Sequence, residues 1–178
     1  MKIIAIPSPN FEDRQDEISL VIIHAMATKD LEASFTYLID SVPPKPLSSH
    51  YIIDRDGTVY ALVSEDKTAY HAGISDWNGY CKRTGRTGLN HTSIGIELQG
   101  EWDQTLSEKY FGHFTEEQMN ACIELCQRIQ KRYNLSADDF IGHSDCAPDR
   151  KNDPGEHFDW KRLRFALSNK NSSTLDKD

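Results

Sequence analysis

Ser93-Ile94-Gly95-Ile96-Glu97-Leu98 alternates with a period of two, so Ile94, Ile96 and Leu98 share one face of a strand and Ser93, Gly95 and Glu97 the other. A carboxylate in a strand that otherwise reads as apolar is out of place unless it is paired, exposed on a one-sided sheet, or engaged in chemistry. Upstream, Ile18 to Ile23 holds the continuous apolar run Leu20-Val21-Ile22-Ile23, which reads as a buried strand ending at His24. Between the two, His50–Asp54 and Thr58–Val63 flank Arg55-Asp56-Gly57, and Asp-Gly between apolar runs signals a hairpin. Asp30 caps a predicted helix carrying Leu31, Phe35, Leu38 and Ile39. Thr115, followed by Glu116, Glu117 and Gln118, opens a second, with Met119, Cys122, Ile123, Cys126, Ile129 and Tyr133 at three- and four-residue steps. Phe140-Ile141 reads as a short strand running into a polar loop, and Asp159 to Leu167 as a closing helix. Strands and helices interleave, so the expected class is α/β, a central mixed β-sheet flanked by helices in a single domain.

The composition of the 178-residue chain agrees with a packed domain, at 38% hydrophobic and 27% charged residues. Twenty Lys and Arg against 28 Asp and Glu give a formal charge of −8, which argues against broad binding to nucleic acid or anionic lipid. No apolar run approaches the ~18 residues of a membrane span. The N-terminal apolar stretch, Ile3 to Ile6, is short of the ~7–15 residues of a secretory h-region. A cytoplasmic location is therefore expected, or the cell envelope if a leader has been removed. The four cysteines form no Cys-x-x-Cys pair, and Cys122 and Cys126, one helical turn apart, read as buried thiols. Val42-Pro43-Pro44-Lys45-Pro46 reads as a loop. Residues 1–168 are expected to form the domain and 169–178 a polar tail, in a monomer.

Several residues could carry chemistry. His24 and His143 both end predicted strands, the latter within Ile141-Gly142-His143-Ser144-Asp145, and Asp153 lies ten positions on in Arg150-Lys151-Asn152-Asp153-Pro154-Gly155. Two histidines and a carboxylate suit catalytic zinc, with the fourth position left to water. His50, His71, His91, His113 and His157 are rival ligands, and Asp145 and Cys146 lie nearer to His143 in sequence than Asp153 does. Glu97 can serve as a general base if it faces the metal, or be an exposed strand residue. Lys151 can place a cation beside a scissile amide oxygen, or be a solvated loop lysine. His71-Ala72-Gly73 precedes a loop with Trp77, Gly79, Gly85 and Gly88, a composition that suits a sugar–peptide cleft, and Trp77 can equally pack the loop.

The order of these segments resembles one family. Ile6-Pro7-Ser8-Pro9-Asn10-Phe11, Val21-Ile22-Ile23-His24, Ser49-His50-Tyr51-Ile52-Ile53-Asp54-Arg55-Asp56-Gly57, His71-Ala72-Gly73, and Asn90 with Ser93–Leu98 carry the likeness. So does Gly142-His143-Ser144-Asp145 through Ala147-Pro148 and Arg150-Lys151 to Asp153-Pro154-Gly155. From about Ile6 to Leu167 the chain resembles the type-2 N-acetylmuramoyl-L-alanine amidases of the peptidoglycan-recognition fold. The resemblance implies one Zn2+ per chain on His24, His143 and Asp153, Glu97 as catalytic acid/base, and Lys151 as the cation beside the oxyanion. It implies a substrate groove with His71, Trp77 and Asn90, and muropeptides or peptidoglycan as partners. The reaction it implies is hydrolysis of the amide between N-acetylmuramic acid, or its anhydro form, and L-Ala. Asp153 stands where related recognition proteins and phage enzymes often carry Cys, which points to the bacterial amidase branch.

Ala25, Lys45-Pro46-Leu47 and Tyr70 depart from the family pattern at positions expected in the substrate groove. A non-hydrolytic muropeptide-binding module on the same fold is the rival reading, and it normally goes with loss of zinc ligands. A zinc peptidase acting on D-amino-acid bonds would need different ligand spacing.

Overall fold

The structure, a computed structural model, describes residues 1–41, 44–101 and 112–169. Val42 and Pro43 of the proline-rich loop and residues 170–178 of the expected tail lie outside the described residues.

Among the described residues, eight strands form two sheets. β1 (Ile3–Ala5), β3 (Leu20–Met26), β4 (Tyr51–Ile53), β5 (Val59–Ala61), β7 (Ser93–Gln99) and β8 (Phe140–Gly142) make a six-stranded sheet in the order β1-β5-β4-β7-β3-β8. Only the β4–β5 pair is antiparallel, the hairpin foreseen at Asp56-Gly57. β2 (Phe11–Asp13) and β6 (Lys67–Ala69) form a separate antiparallel pair. The helices are α1 (Leu31–Ile39), α2 (Tyr80–Thr84), α3 (Glu116–Tyr133), α4 (His143–Cys146) and α5 (Trp160–Ser168).

The caps expected from the sequence are present. The Asp30 carboxylate accepts from the Ala33 N–H at 2.8 Å, and Thr115 with Gln118 closes a reciprocal capping box at the start of α3. Asp159 caps α5 through the Arg162 N–H at 2.9 Å. The 18 residues of α3 bury Met119, Cys122, Cys126 and Ile129 with Leu163 and Leu167 of α5.

The two faces of the sheet are covered differently. Val21 and Ile23 of β3 and Ile94, Ile96 and Leu98 of β7 pack with α3 and α5. On the opposite face Leu20 and Ile22 join Ala72, Tyr80 and Leu89, and Ile52 joins Leu38 of α1. His24 continues the Leu20, Ile22 row, and Glu97 belongs to the matching row of β7, because alternate residues of a strand share a face. Both therefore look away from α3 and α5. Sequence reasoning left open an exposed Glu97 on a one-sided sheet; all seven residues of β7 are buried, since each of its faces is covered.

Arg14 ties the second face together. Its guanidinium donates to the backbone oxygens of Glu65 at 2.9 Å, His91 at 2.6 Å, Lys67 at 2.7 Å and Ser93 at 3.0 Å. Five N–H donors in a fixed fork make arginine suited to gathering carbonyls from separate segments. Among the described residues no helix is long and apolar enough to cross a membrane.

Candidate metal centre and active-site cleft

The site forms where β3, β7 and β8 end side by side. Parallel pairing sets His24 opposite Glu97 and Ile23 opposite both Ile96 and Gly142, so the next residue, His143, emerges beside His24. His143 opens α4, and the Asp145 carboxylate caps that turn by accepting from the Gly142 N–H at 2.7 Å. Gly142 is needed for the return of the loop: a Cβ there would meet Cδ of Pro154 at 3.0 Å. The Ser144 N–H donates to the Asp153 carbonyl at 2.9 Å, and the N–H groups of Arg150 and Lys151 both donate to the Ala147 carbonyl. The ten-residue excursion thereby folds back on itself and delivers the Asp153 side chain to the two imidazoles.

His24 Nδ1 and His143 Nδ1 lie 2.9 Å apart, and Asp153 Oδ2 lies 3.2 Å from the first and 3.1 Å from the second. All three residues are buried, and among the described residues they are the one cluster of three or more His, Cys, Asp or Glu groups close enough to hold a metal ion. Donors ~2.0–2.1 Å from a tetrahedral zinc are spaced ~3.3 Å apart, so this triangle needs little adjustment to accept one. The outer nitrogen of His143, Nε2, donates to the Ala72 carbonyl at 3.1 Å, which leaves Nδ1 with its lone pair facing the triangle. Lone pairs and a carboxylate oxygen converging at this distance are an arrangement that a divalent cation resolves. The residues present fit zinc.

The rival ligands are occupied elsewhere. His50 accepts the Gly95 N–H on Nδ1 at 3.0 Å, and Nδ1 of His91 is 3.0 Å from the Thr68 hydroxyl. His113 and His157 stack on each other with centroids 4.1 Å apart. The Cys146 thiol donates back to the His143 carbonyl.

Burial is the main electrostatic force in the site. It pushes His24 down to about 4, helped by the neighbouring His143. Burial also pushes Asp153 up, but the His143 and His24 rings, which attract the carboxylate whenever they turn a proton toward it, hold it well below the usual carboxylate range. Glu97, 7% exposed, is pushed up to about 8 by burial and then by the charge of Asp153, with Lys151 acting in the opposite direction. A buried carboxyl raised toward neutral pH in a cleft is poised to exchange a proton.

These groups line one cavity of about 340 Å³ that contains His24, Glu97, His143, Lys151 and Asp153. Its walls include Ala25, Tyr70 and Leu47 of the Lys45-Pro46-Leu47 stretch, all expected in the groove, and also Met26, Tyr37 and Arg150. Tyr37 of α1 escaped sequence reasoning because nothing in its local pattern separates a cleft aromatic from a surface one. A larger groove of about 840 Å³ lies elsewhere, by Tyr51, Glu65, Arg132 and Tyr133. Its polar groups satisfy one another: both tyrosine hydroxyls donate to Glu65 at 2.8 Å and Arg132 pairs with it.

The three residues expected along the substrate groove are placed differently from one another. His71 touches the cavity, but its ring sits behind His24, with Nδ1 2.9 Å from His24 Nε2. Asn90 lies outside the cavity lining and accepts from the N–H groups of His71 and Ala72 at 3.2 and 2.8 Å. Trp77 packs on the cluster of Leu20, Ile22, Tyr80 and Leu89.

Residues 14–156 match the Amidase_2 family, described as N-acetylmuramoyl-L-alanine amidase. The chain belongs to this family. Amidase_2 relatives include the N-acetylmuramoyl-L-alanine amidase AmiD of Escherichia coli strain K12, 38% identical over 82% of this chain and 52% of AmiD. They also include the 1,6-anhydro-N-acetylmuramyl-L-alanine amidase AmpD of Salmonella typhimurium strain SL1344, 34% identical over 92% of this chain and 89% of AmpD. The chain thus spans about half the length of AmiD and most of AmpD. Among solved Amidase_2 structures, E. coli AmiD in complex with the substrate anhydro-N-acetylmuramic acid-L-Ala-D-gamma-Glu-L-Lys superposes with a TM-score of 0.73. That likeness covers 85% of this chain and 58% of the AmiD chain at 36% identity. The mixed sheet with flanking helices is the amidase fold, and the Amidase_2 chain is an amidase by family.

Proposed function

We propose that this protein hydrolyses the amide between N-acetylmuramic acid, in its 1,6-anhydro form, and the L-Ala of a peptidoglycan stem peptide, using one zinc ion. The observation that carries the reading is the buried Glu97 carboxyl in the same cavity as the His24, His143 and Asp153 donors. AmpD, similar over 89% of its length, supports the anhydro sugar, and so does the substrate held by AmiD. In this reading residues 1–168 form the catalytic unit.

His24, His143 and Asp153 would hold the metal. Zinc bound there supplies Lewis-acid polarisation of the scissile carbonyl and lowers the pKa of water toward ~7. Glu97, buried in the cavity wall, takes a proton from the attacking water in its ionised form, the form that the Lys151 cation favours. It then returns that proton to the leaving amine of L-Ala, which departs as a neutral group. Lys151 is anchored through its backbone to Ala147, two residues before Asp153, so its ammonium stays beside the cavity. There it stabilises the negative charge that develops on the former carbonyl oxygen. Tyr37, Leu47 and Tyr70 give the cleft apolar walls against which the sugar and peptide can lie.

Incubating the zinc-loaded protein with an anhydro-muropeptide and analysing the products by mass spectrometry tests this. The expected products are the free anhydro sugar and a peptide with L-Ala at its N-terminus. Recovery of intact muropeptide, bound but uncleaved, would instead support the binding-module reading.

A further inference from the structure

His24 presents one ring nitrogen to the Asp153 and His143 donors, and what stands behind its other nitrogen decides which of the two carries the proton. His71 Nδ1 is 2.9 Å from His24 Nε2, and the rings meet edge-on with centroids 5.1 Å apart. The far nitrogen of His71, Nε2, is 3.2 Å from the Ser93 hydroxyl, and that hydroxyl donates to the Leu89 carbonyl at 2.7 Å. A carbonyl can only accept, so the single Ser93 proton is committed to Leu89. Ser93 must then accept from His71 Nε2–H. With its one ring proton on Nε2, the neutral imidazole of His71 keeps none on Nδ1. Its Nδ1 accepts from His24 Nε2–H, and His24 Nδ1 is left bare toward the metal site.

We propose that His71 is a positioning residue that presets the metal-binding tautomer of His24, through a hydrogen-bond chain running His24 to His71 to Ser93 to the Leu89 carbonyl. The inference rests on the metal-site reading and replaces substrate contact as the role of the His71 ring. The strand is shaped for it. A Cβ on Gly95 would lie 2.5 Å from His71 Cγ and 2.7 Å from its Nδ1, so the ring occupies the space that a side chain at position 95 would fill. Gly95 and Ser93 thus fall on the same face of β7 as Glu97, one making room for the relay and the other ending it. Because the chain stops at a backbone carbonyl, it orients protons and does not conduct them to solvent.

The test is the zinc dissociation constant, by competition with a chromophoric chelator, for the native protein, His71→Leu, His71→Asn and Ser93→Ala, each checked for native thermal unfolding. Leu and Asn have nearly the same shape, but the Asn carbonyl can accept where His71 Nδ1 does. Loss of an outer-shell partner typically costs 10–100-fold in metal affinity, so His71→Leu is expected to weaken zinc by about that factor. His71→Asn should recover most of it, and Ser93→Ala should weaken zinc while leaving every ligand in place. Nitrogen-15 NMR of the native protein should show the His24 proton on Nε2. A folded His71→Leu with native zinc affinity, or Asn no better than Leu, would overturn the relay. A native protein that binds no zinc would overturn the metal-site reading together with it.

Discussion

His24 and Glu97 are register partners on adjacent parallel strands, so a proposed zinc ligand and the proposed proton carrier rise from the same line across the sheet. Their spacing is set by backbone hydrogen bonding between β3 and β7, which is more rigid than any loop. Glu97→Gln keeps the shape and the burial but removes the proton acceptor. The variant is expected to retain its zinc and its thermal unfolding while losing about 10²–10⁴-fold in turnover. Near-native turnover in a zinc-loaded Glu97→Gln protein would take the proton transfer away from this residue.

Asp153→Ala removes the only negatively charged member of the triangle and leaves two buried imidazoles. Zinc content of the purified variant should fall well below one per chain. Zinc should also stop raising the melting temperature, since a ligand stabilises only the state that binds it. Full stoichiometry in the variant would remove Asp153 from the metal site.

Lys151→Ala should lower kcat and kcat/KM together with zinc content unchanged, the pattern of an interaction made in the transition state. Loss of one oxyanion contact typically costs about 10²–10³ in kcat. A rise in KM alone would make Lys151 a contact to the ground-state substrate.

Metal-free protein should be sensitive to acid in a defined window. Burial, and then the Arg14 charge, push His50 down to about 3 from an ordinary 6.5, and His24 shifts the same way, to about 4. Between those values the unfolded chain binds protons that the folded chain refuses. Glu97, pushed up to about 8, works in the opposite sense above its ordinary 4.5, but two rings outweigh one carboxyl, so stability falls as pH drops from 6.5 toward 3. The urea midpoint, followed across that range in chelator, should decline with acidification. A midpoint that stayed level or rose would contradict the burial of these rings.

Much of this site could be read from the sequence because its parts sit at strand ends. The apolar run before His24 and the alternation around Glu97 placed both residues at the sheet, and the family resemblance supplied their roles. The sequence could not say that Glu97 is buried, because one-sided and two-sided strands share the alternation of Ile94, Ile96 and Leu98. Only the packing of both faces settles it. The short strands β1, β2 and β6 carried too few residues for a period to appear. His71 lines the cavity and Asn90 braces its backbone, and their partners, His24 Nε2 and two backbone N–H groups, depend on chain crossings that no local pattern records.

The claim at the centre of this account is a metal ion on His24, His143 and Asp153. A crystal structure of the zinc-loaded protein with anomalous data at the zinc edge tests it most directly. One anomalous peak per chain is expected, ~2.0–2.2 Å from His24 Nδ1, His143 Nδ1 and an Asp153 carboxylate oxygen, with the Glu97 carboxyl facing it across the cleft. A protein with no peak at these donors, or with its peak on other residues, would contradict it.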